Sequence, residues 1–229
     1  MAQLLGNWES RGGQVALTGR SGLDRLSSWV PGDLDLWVIQ REELSPLGYA
    51  ELWIRDGGTT PRDAAFTPLL TAWLDDFTAR GVTAVGFGYI LVRRPAADGV
   101  PLRRLERVTQ PVSNVGAALR AGLAAHDVLA TGLPATLLVA PDVTEARHLL
   151  PGNDDPSIIE LRQGGGFART ITVDPALAGF VGACDGDLTV VQIVSALADL
   201  FEVPLVELWA DLEPRIRQLV LDGLLVPGE

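Results

Sequence analysis

Val82-Thr83-Ala84-Val85-Gly86-Phe87-Gly88-Tyr89-Ile90-Leu91-Val92-Arg93 reads as one long strand that is apolar on both faces. By the two-residue period of extended chain, Val85, Phe87, Tyr89 and Leu91 share one face, and Gly86, Gly88, Ile90 and Val92 share the other. The shorter strand over 34–40 likewise carries apolar groups on both faces, both of which are expected to be covered, and the fold is read as α/β. Gly86 and Gly88 look like half a nucleotide-binding loop. They lie inside the strand, however, so close backbone packing is the better account.

On the N-terminal side of this strand, Phe66, Leu69, Leu70, Trp73, Leu74 and Phe77 form a helical stripe that begins near Pro61-Arg62-Asp63 and stops at Arg80-Gly81. Ser45-Pro46 supplies a cap and first-turn proline for another helix, with Tyr49, Leu52 and Trp53 on its apolar side and Asp56-Gly57-Gly58 at its end. A compact apolar strand is expected over 34–40. Before it, Leu23, Leu26, Trp29 and Val30 recur at helical spacing and Pro31-Gly32 stops them. The opening run Gln3-Leu4-Leu5-Gly6-Asn7-Trp8-Glu9 reads as a strand over 3–7 followed by its functional end, and the glycine-rich stretch 12–22 reads as loop.

On the C-terminal side, 95–101 is a turn-rich break, and 102–108 either returns as a partner strand or leads to the next domain. The division is expected near residue 110, giving domains 1–110 and 111–229. In the second, a helix is expected from Ser113-Asn114 to Gly132, then strands over 143–150, 157–162 and 167–173, separated by Pro151-Gly152-Asn153-Asp154 and Gly164-Gly165-Gly166. Helices follow over 175–181, 188–200 and 205–221. With Gly223-Leu224-Leu225-Val226 after the longest of them, the end of the chain resembles a winged helix, so this domain is read as α+β.

Three stretches, Leu4 to Glu9, Leu36 to Glu42 and Gly86 to Arg94, together resemble a family of bacterial class I S-adenosylmethionine-dependent methyltransferases. The resemblance covers the last third of the catalytic domain and the C-terminal domain after it. It implies a partial Rossmann-like sheet in which the first, second and third strands take the places of strands five, six and seven, in the order five, seven, six. It also implies that the chain corresponds to the back half of such an enzyme. The glycine-rich cofactor loop and the Asn-Pro-Pro-aromatic motif of these enzymes are not in this sequence. S-adenosylmethionine would therefore be bound by a full-length parent and not by this chain alone, which carries no catalytic residue and contributes substrate or partner recognition. The outer edge of the first strand would be left to a missing N-terminal half or to a second copy of the chain.

The residues themselves offer two groups of candidates. Asn7, Trp8 and Glu9, beyond the carboxyl end of a strand, could line a substrate pocket, because open α/β sheets place ligands there; Asn7 donates and accepts, Trp8 stacks and Glu9 accepts. They equally read as a turn and a core tryptophan. Arg41 could clamp an anion, or pair with Glu42, Glu43 or Asp56. Arg93, Arg94, Arg103, Arg104 and Arg107 are the chain's one basic concentration, read either as a nucleic-acid-binding patch or as a solvated hairpin rim. The net charge of −11 opposes a broad phosphate-binding surface.

The single cysteine, Cys184, excludes an internal disulfide, and with only His126 and His148 no histidine- or cysteine-rich metal site is expected. Cys184 reads as a buried small residue before an aspartate turn and helix cap, or as a thiol activated at a helix start. Gly164-Gly165-Gly166 reads as a hairpin turn, since neither lysine nor serine follows as a phosphate loop would need. No apolar run is long enough to span a bilayer and no secretory signal opens the chain, so a cytoplasmic location is expected.

Overall fold

A computed structural model of the chain describes residues 2–11, 21–95 and 99–228, with 2–5 described by backbone alone. Most of the loop expected over 12–22, and the middle of the break expected over 95–101, lie outside these residues. The chain divides into two compact units, Met1–Thr109 and Gln110–Glu229. It is a mixed α/β protein with seven helices among the described residues.

The first unit runs β1 (Ala2–Arg11), α1 (Gly22–Trp29), β2 (Asp35–Leu44), α2 (Pro46–Asp56), α3 (Phe66–Ala79), β3 (Val82–Arg93) and β4 (Arg103–Arg107). Its four strands lie in the order β1-β3-β2-β4. The long apolar strand β3 is antiparallel to both neighbours, and β4 is parallel to β2. The first three strands thus lie in the expected order of first, third, second, and 102–108 does return as a partner strand.

Both faces of the sheet are covered, and all six residues of β2 from Asp35 to Gln40 are buried. On one face Trp8, Leu36 and Val38 pack with Leu26 of α1. On the other, Val82 and Val85 pack with Ala50 of α2 and Phe77 of α3. Local chemistry sets the helix ends. The Ser21 and Ser45 side chains accept from the amides of Asp24 and Gly48 at the starts of α1 and α2, and Gly81, at φ +65°, turns the chain out of α3.

Four expected elements of this unit need correction. β1 continues to Arg11 and β2 to Leu44, because β3 is twelve residues long and hydrogen-bonds to both along its length, pairing Glu9 with Val85 and Glu43 with Gly86. In α2 the buried side is Ala50 and Ile54, while Leu52 and Trp53 are exposed. In α3, Leu69 is exposed and the stripe is buried chiefly at its two phenylalanines.

The second unit comprises α4 (Val115–Thr131), β5 (Thr136–Val139), β6 (Val143–Leu149), β7 (Pro156–Gln163), β8 (Thr170–Val173), α5 (Pro175–Gly182), β9 (Asp185–Thr189), α6 (Val190–Leu200), α7 (Leu205–Asp222) and β10 (Leu225–Pro227). The strands β6-β7-β8 make an antiparallel meander, with Gly164-Gly165-Gly166 in the turn between its last two strands. The strands β10-β5-β9 make a second small sheet, in which β5 and β9 were not anticipated. Both sheets and α5, α6 and α7 share one core that includes Leu137, Leu161, Phe180, Val194, Leu212 and Ile216. Among the described residues no helix is long and apolar enough to cross a membrane.

Candidate functional site

The alternation of β1 separates the three candidates at its centre. Trp8 points into the α1 face and is only 2% exposed, whereas Asn7 is exposed and Glu9 half-buried. The tetrad Gly6 to Glu9 therefore sits within a strand, not beyond its end. Trp8 is a core residue rather than a pocket wall, since a ring buried to that degree offers no face for stacking.

Trp8 is also held by a polar contact. Its indole N–H donates to Oε1 of Gln40, 3.0 Å away, and Gln40 is itself buried. Gln40 donates in turn to Glu43 at 3.0 Å, and Glu43 accepts from Arg107 at 3.2 Å. A buried indole N–H without a partner would be costly, so Gln40 is required there. Two glycines make room for the ring. A Cβ on Gly86 would collide with Nε1 of Trp8 and stand 2.8 Å from Oε1 of Gln40, and one on Gly22 would collide with the same edge of the indole. Gly86 in mid-strand was the sequence signal for this close approach. Its partner Gln40 carried none.

On the opposite face, the Asn7 side-chain amide donates to the hydroxyl of Tyr49 at 3.1 Å. Tyr49 is the hub of an aromatic cluster. Its ring stacks on Phe87 at 5.6 Å and lies 5.8 to 6.0 Å from Trp53, Trp73 and Phe77. Trp53 remains 42% exposed, so the cluster reaches the surface beside an amide.

Glu9 is the centre of an arginine cluster. It accepts from Arg80 at 2.5 Å and Arg11 at 2.9 Å, with Arg25 at 4.0 Å, and Arg80 is also held by Asp76. Burial would raise the Glu9 pKa, but the hydrogen bonds from Arg80 and Arg11 outweigh it and hold the carboxyl below its ordinary value. Glu9 is thus a fixed anion tying β1 to the end of α3. Its expected place as a proton or amine acceptor for a substrate is taken by guanidinium groups.

Arg41 occupies a bulge in β2, where the pairing with β3 shifts between Gln40 and Glu42. Gly88 lies opposite, and a side chain there would overlap the carbonyl of Ile39. Arg41 donates to the backbone carbonyl of Val108. It also lines an open depression of about 270 Å³ with Gln40, Glu42, Glu43, Arg107 and Thr109. Two cations and two carboxylates cancel in that lining, which makes it a poor clamp for an isolated anion.

The arginine patch dissolves in the same way. Arg93 pairs at 2.5 Å with the fully buried Asp35, whose other oxygen accepts from the amide of Leu102. Arg103 reaches the carbonyls of Ser27, Val30 and Pro31 at the C-terminus of α1, where a cation is favoured. Arg104 lies over the ring of Trp37 at 4.9 Å and pairs with Glu106, and Arg107 pairs with Glu43. Arg94 is exposed. Alternation along β4 sends neighbouring arginines to opposite faces, so closeness in sequence does not become one cationic surface.

In the second unit Cys184 is buried. Burial, and secondarily the Asp185 charge, push its thiol up to about 12. It donates to the carbonyl of Phe180. After it come the expected aspartate turn, in which Asp187 N–H donates to Asp185, and a cap, Thr189, which forms a capping box with Gln192. His148 pairs with Glu160 on the exposed side of the β6-β7 hairpin. Among the described residues no group of histidine, cysteine and carboxylate side chains could hold a metal ion. No family model matches the chain, and no curated protein matches it significantly.

Proposed function

We propose that the first unit is the substrate-side part of a methyltransferase-like sheet, and that the chain contributes substrate or partner recognition without transferring a methyl group itself. The observation that carries this reading is Asn7: an exposed amide, fixed by Tyr49, at the rim of an aromatic cluster. Tyr49 takes one N–H, and an amide has a second N–H and a carbonyl oxygen to offer. That chemistry suits a planar group with adjacent donor and acceptor atoms lying beside Trp53. The antiparallel insertion of β3 between β1 and β2 supports the comparison with strands five to seven. The outer edge of β1 is unpaired among the described residues. A parallel strand of a cofactor-binding half would add there, and pairing with a second copy is the competing use of the same edge.

One titration tests both parts. Isotope-labelled chain is followed at the Asn7 side-chain amide and at the Trp53 indole N–H while nicotinamide, as a planar amide probe, and then S-adenosylmethionine are added. Saturable shifts of both signals with nicotinamide, a Trp53 shift that disappears in Asn7→Ala, and no saturable response to S-adenosylmethionine are the expected result. Stoichiometric binding of S-adenosylmethionine would refute the division of labour. Absence of any nicotinamide shift would refute the recognition site.

A second reading rests on the order α5, β9, α6, α7, β10, which suits a winged-helix-like binding module in the second unit. Nucleic acid is the weaker partner for it, given the net charge of −11 and the engagement of Arg93, Arg103, Arg104 and Arg107 in ion pairs, a helix cap and a ring contact. A mobility shift with DNA or RNA that is abolished by high salt would favour this reading over the first.

A further inference from the structure

The turn joining α6 to α7 is built unlike the other helix connections. Nine consecutive residues, 199–207, are all exposed. Five of them are large and apolar: Leu200 is 72% exposed, Phe201 41%, Val203 39%, Leu205 42% and Val206 80%. Asp199, Glu202 and Glu207 punctuate the run, and it contains no basic residue. An apolar surface of this density on a single turn exceeds the scattered exposure usual for a soluble protein.

The turn is also fixed in shape. The amide of Val203 donates to the carbonyl of Ala198 at 3.0 Å and that of Glu202 to Asp199 at 3.3 Å, the paired bonds of a Schellman helix end. In that motif the residue after the cap is left-handed and is usually glycine. Here it is Glu202, at φ +54°. A side chain is kept where the backbone disfavours one, and the side chain kept is a carboxylate at the apex of the apolar tip.

We infer that the α6–α7 turn is a preformed docking tip for a protein partner that presents an apolar helix face bordered by arginine or lysine. The apolar residues pack on that face, and Asp199, Glu202 and Glu207 meet its basic border. Charge selects this occupant over two others. A second copy would set the same three carboxylates against each other, and an anionic membrane would repel them.

The test uses the full chain and a fluorescent fourteen-residue amphipathic helix of leucine and lysine, with its leucine and glutamate counterpart as control. Anisotropy should show the cationic peptide binding at least tenfold more tightly than the acidic one. The double variant Leu200→Ser/Val206→Ser, which leaves net charge unchanged, should weaken that binding at least tenfold, and Glu202→Gln should weaken it several-fold. Glu202→Gly, which relaxes the backbone and removes the carboxylate, should weaken it as Glu202→Gln does while raising thermal stability; this separates charge from folding. Equal binding by Leu200→Ser/Val206→Ser would show general attraction to an acidic protein and overturn the proposal. So would concentration-dependent self-association, or binding to phosphatidylcholine vesicles, that the same double variant abolishes.

Discussion

Replacing Gly86 with alanine adds one methyl group, and its consequence can be worked out from three side chains. The new Cβ would collide with Nε1 of Trp8 and stand 2.8 Å from Oε1 of Gln40. Trp8 cannot swing away freely, because the backbone of Gly22 lies against the same edge of its ring and a Cβ there would collide too. The 3.0 Å bond between Trp8 and Gln40 is therefore broken. Overpacking a core costs about 1–3 kcal/mol, and a buried donor left unsatisfied costs about 1–3 kcal/mol more. Alanine recovers roughly 0.5–1 kcal/mol through its lower backbone entropy. The net loss is about 3 kcal/mol. At a urea slope of about 2 kcal/mol/M, the midpoint of the first unit falls by about 1.5 M. Tryptophan fluorescence reads that unit selectively, since Trp8, Trp29, Trp37, Trp53 and Trp73 lie in it and only Trp209 lies in the other. Gly32→Ala is the control, because a Cβ there meets nothing within 4 Å. A Gly86→Ala midpoint equal to or above that of Gly32→Ala would refute the packing argument.

Glu9→Gln should destabilise the first unit at neutral pH by about 1 kcal/mol, with solvent screening of a partly exposed group taken into account. Because the folded-state pKa of Glu9 is lowered, its contribution is present above the unfolded value and lost as pH falls through the folded one. Urea midpoints of wild type and variant should therefore converge on acidification; a gap that widens would contradict the Arg80 and Arg11 assignment. Cys184 should resist iodoacetamide in the folded chain at pH 8, since its thiol is pushed up to about 12, and react fully in denaturant; rapid native labelling, followed by mass, would contradict its burial. Arg103→Ala should lower the thermal midpoint by removing the cap on the C-terminal carbonyls of α1, a loss of about 1 kcal/mol, and should leave any nucleic-acid mobility shift unchanged.

The fold was legible where periodicity and caps agree. Ser45-Pro46, Arg80-Gly81 and the alternation through Val85 to Val92 mark elements that need no tertiary information. The strand ends were not legible, because Ser10, Arg11, Glu42 and Glu43 are polar and carry no strand signal of their own. Their backbone groups are bonded because β3 runs past them, a property of the partner. β9 was hidden for a similar reason: Asp185-Gly186-Asp187-Leu188-Thr189 has turn composition, and β5 supplies the pairing that makes it a strand. At the site, Asn7 was legible as an amide that donates and accepts, whereas Trp8 read equally as a stacking wall and as core, because only its long-range packing decides between them. Tyr49 and Gln40 were not legible, because each meets its partner through a separation of more than thirty residues.

The same long-range contacts show how differently the two sides of the sheet are secured. On the β2 side, Asp35 is clamped by Arg93 and the Leu102 amide, Arg103 caps α1, and Glu43 joins Gln40 to Arg107. These bonds lock β2, β3, β4 and α1 into one register. β1 has β3 alone as a strand partner among the described residues. Its register depends on side chains that cross to other elements: Trp8 to Gln40, Asn7 to Tyr49 and Glu9 to Arg80. A one-residue slip would send Trp8 to the aromatic face and Asn7 into the core, breaking all three bonds together. The residues read in sequence as a substrate pocket thus include the pins that hold the edge strand. Of the three, Asn7 alone combines that task with an exposed polar group. A variant such as Asn7→Ala must therefore be judged by ligand response and by stability together, because loss of its Tyr49 bond loosens the strand that presents it.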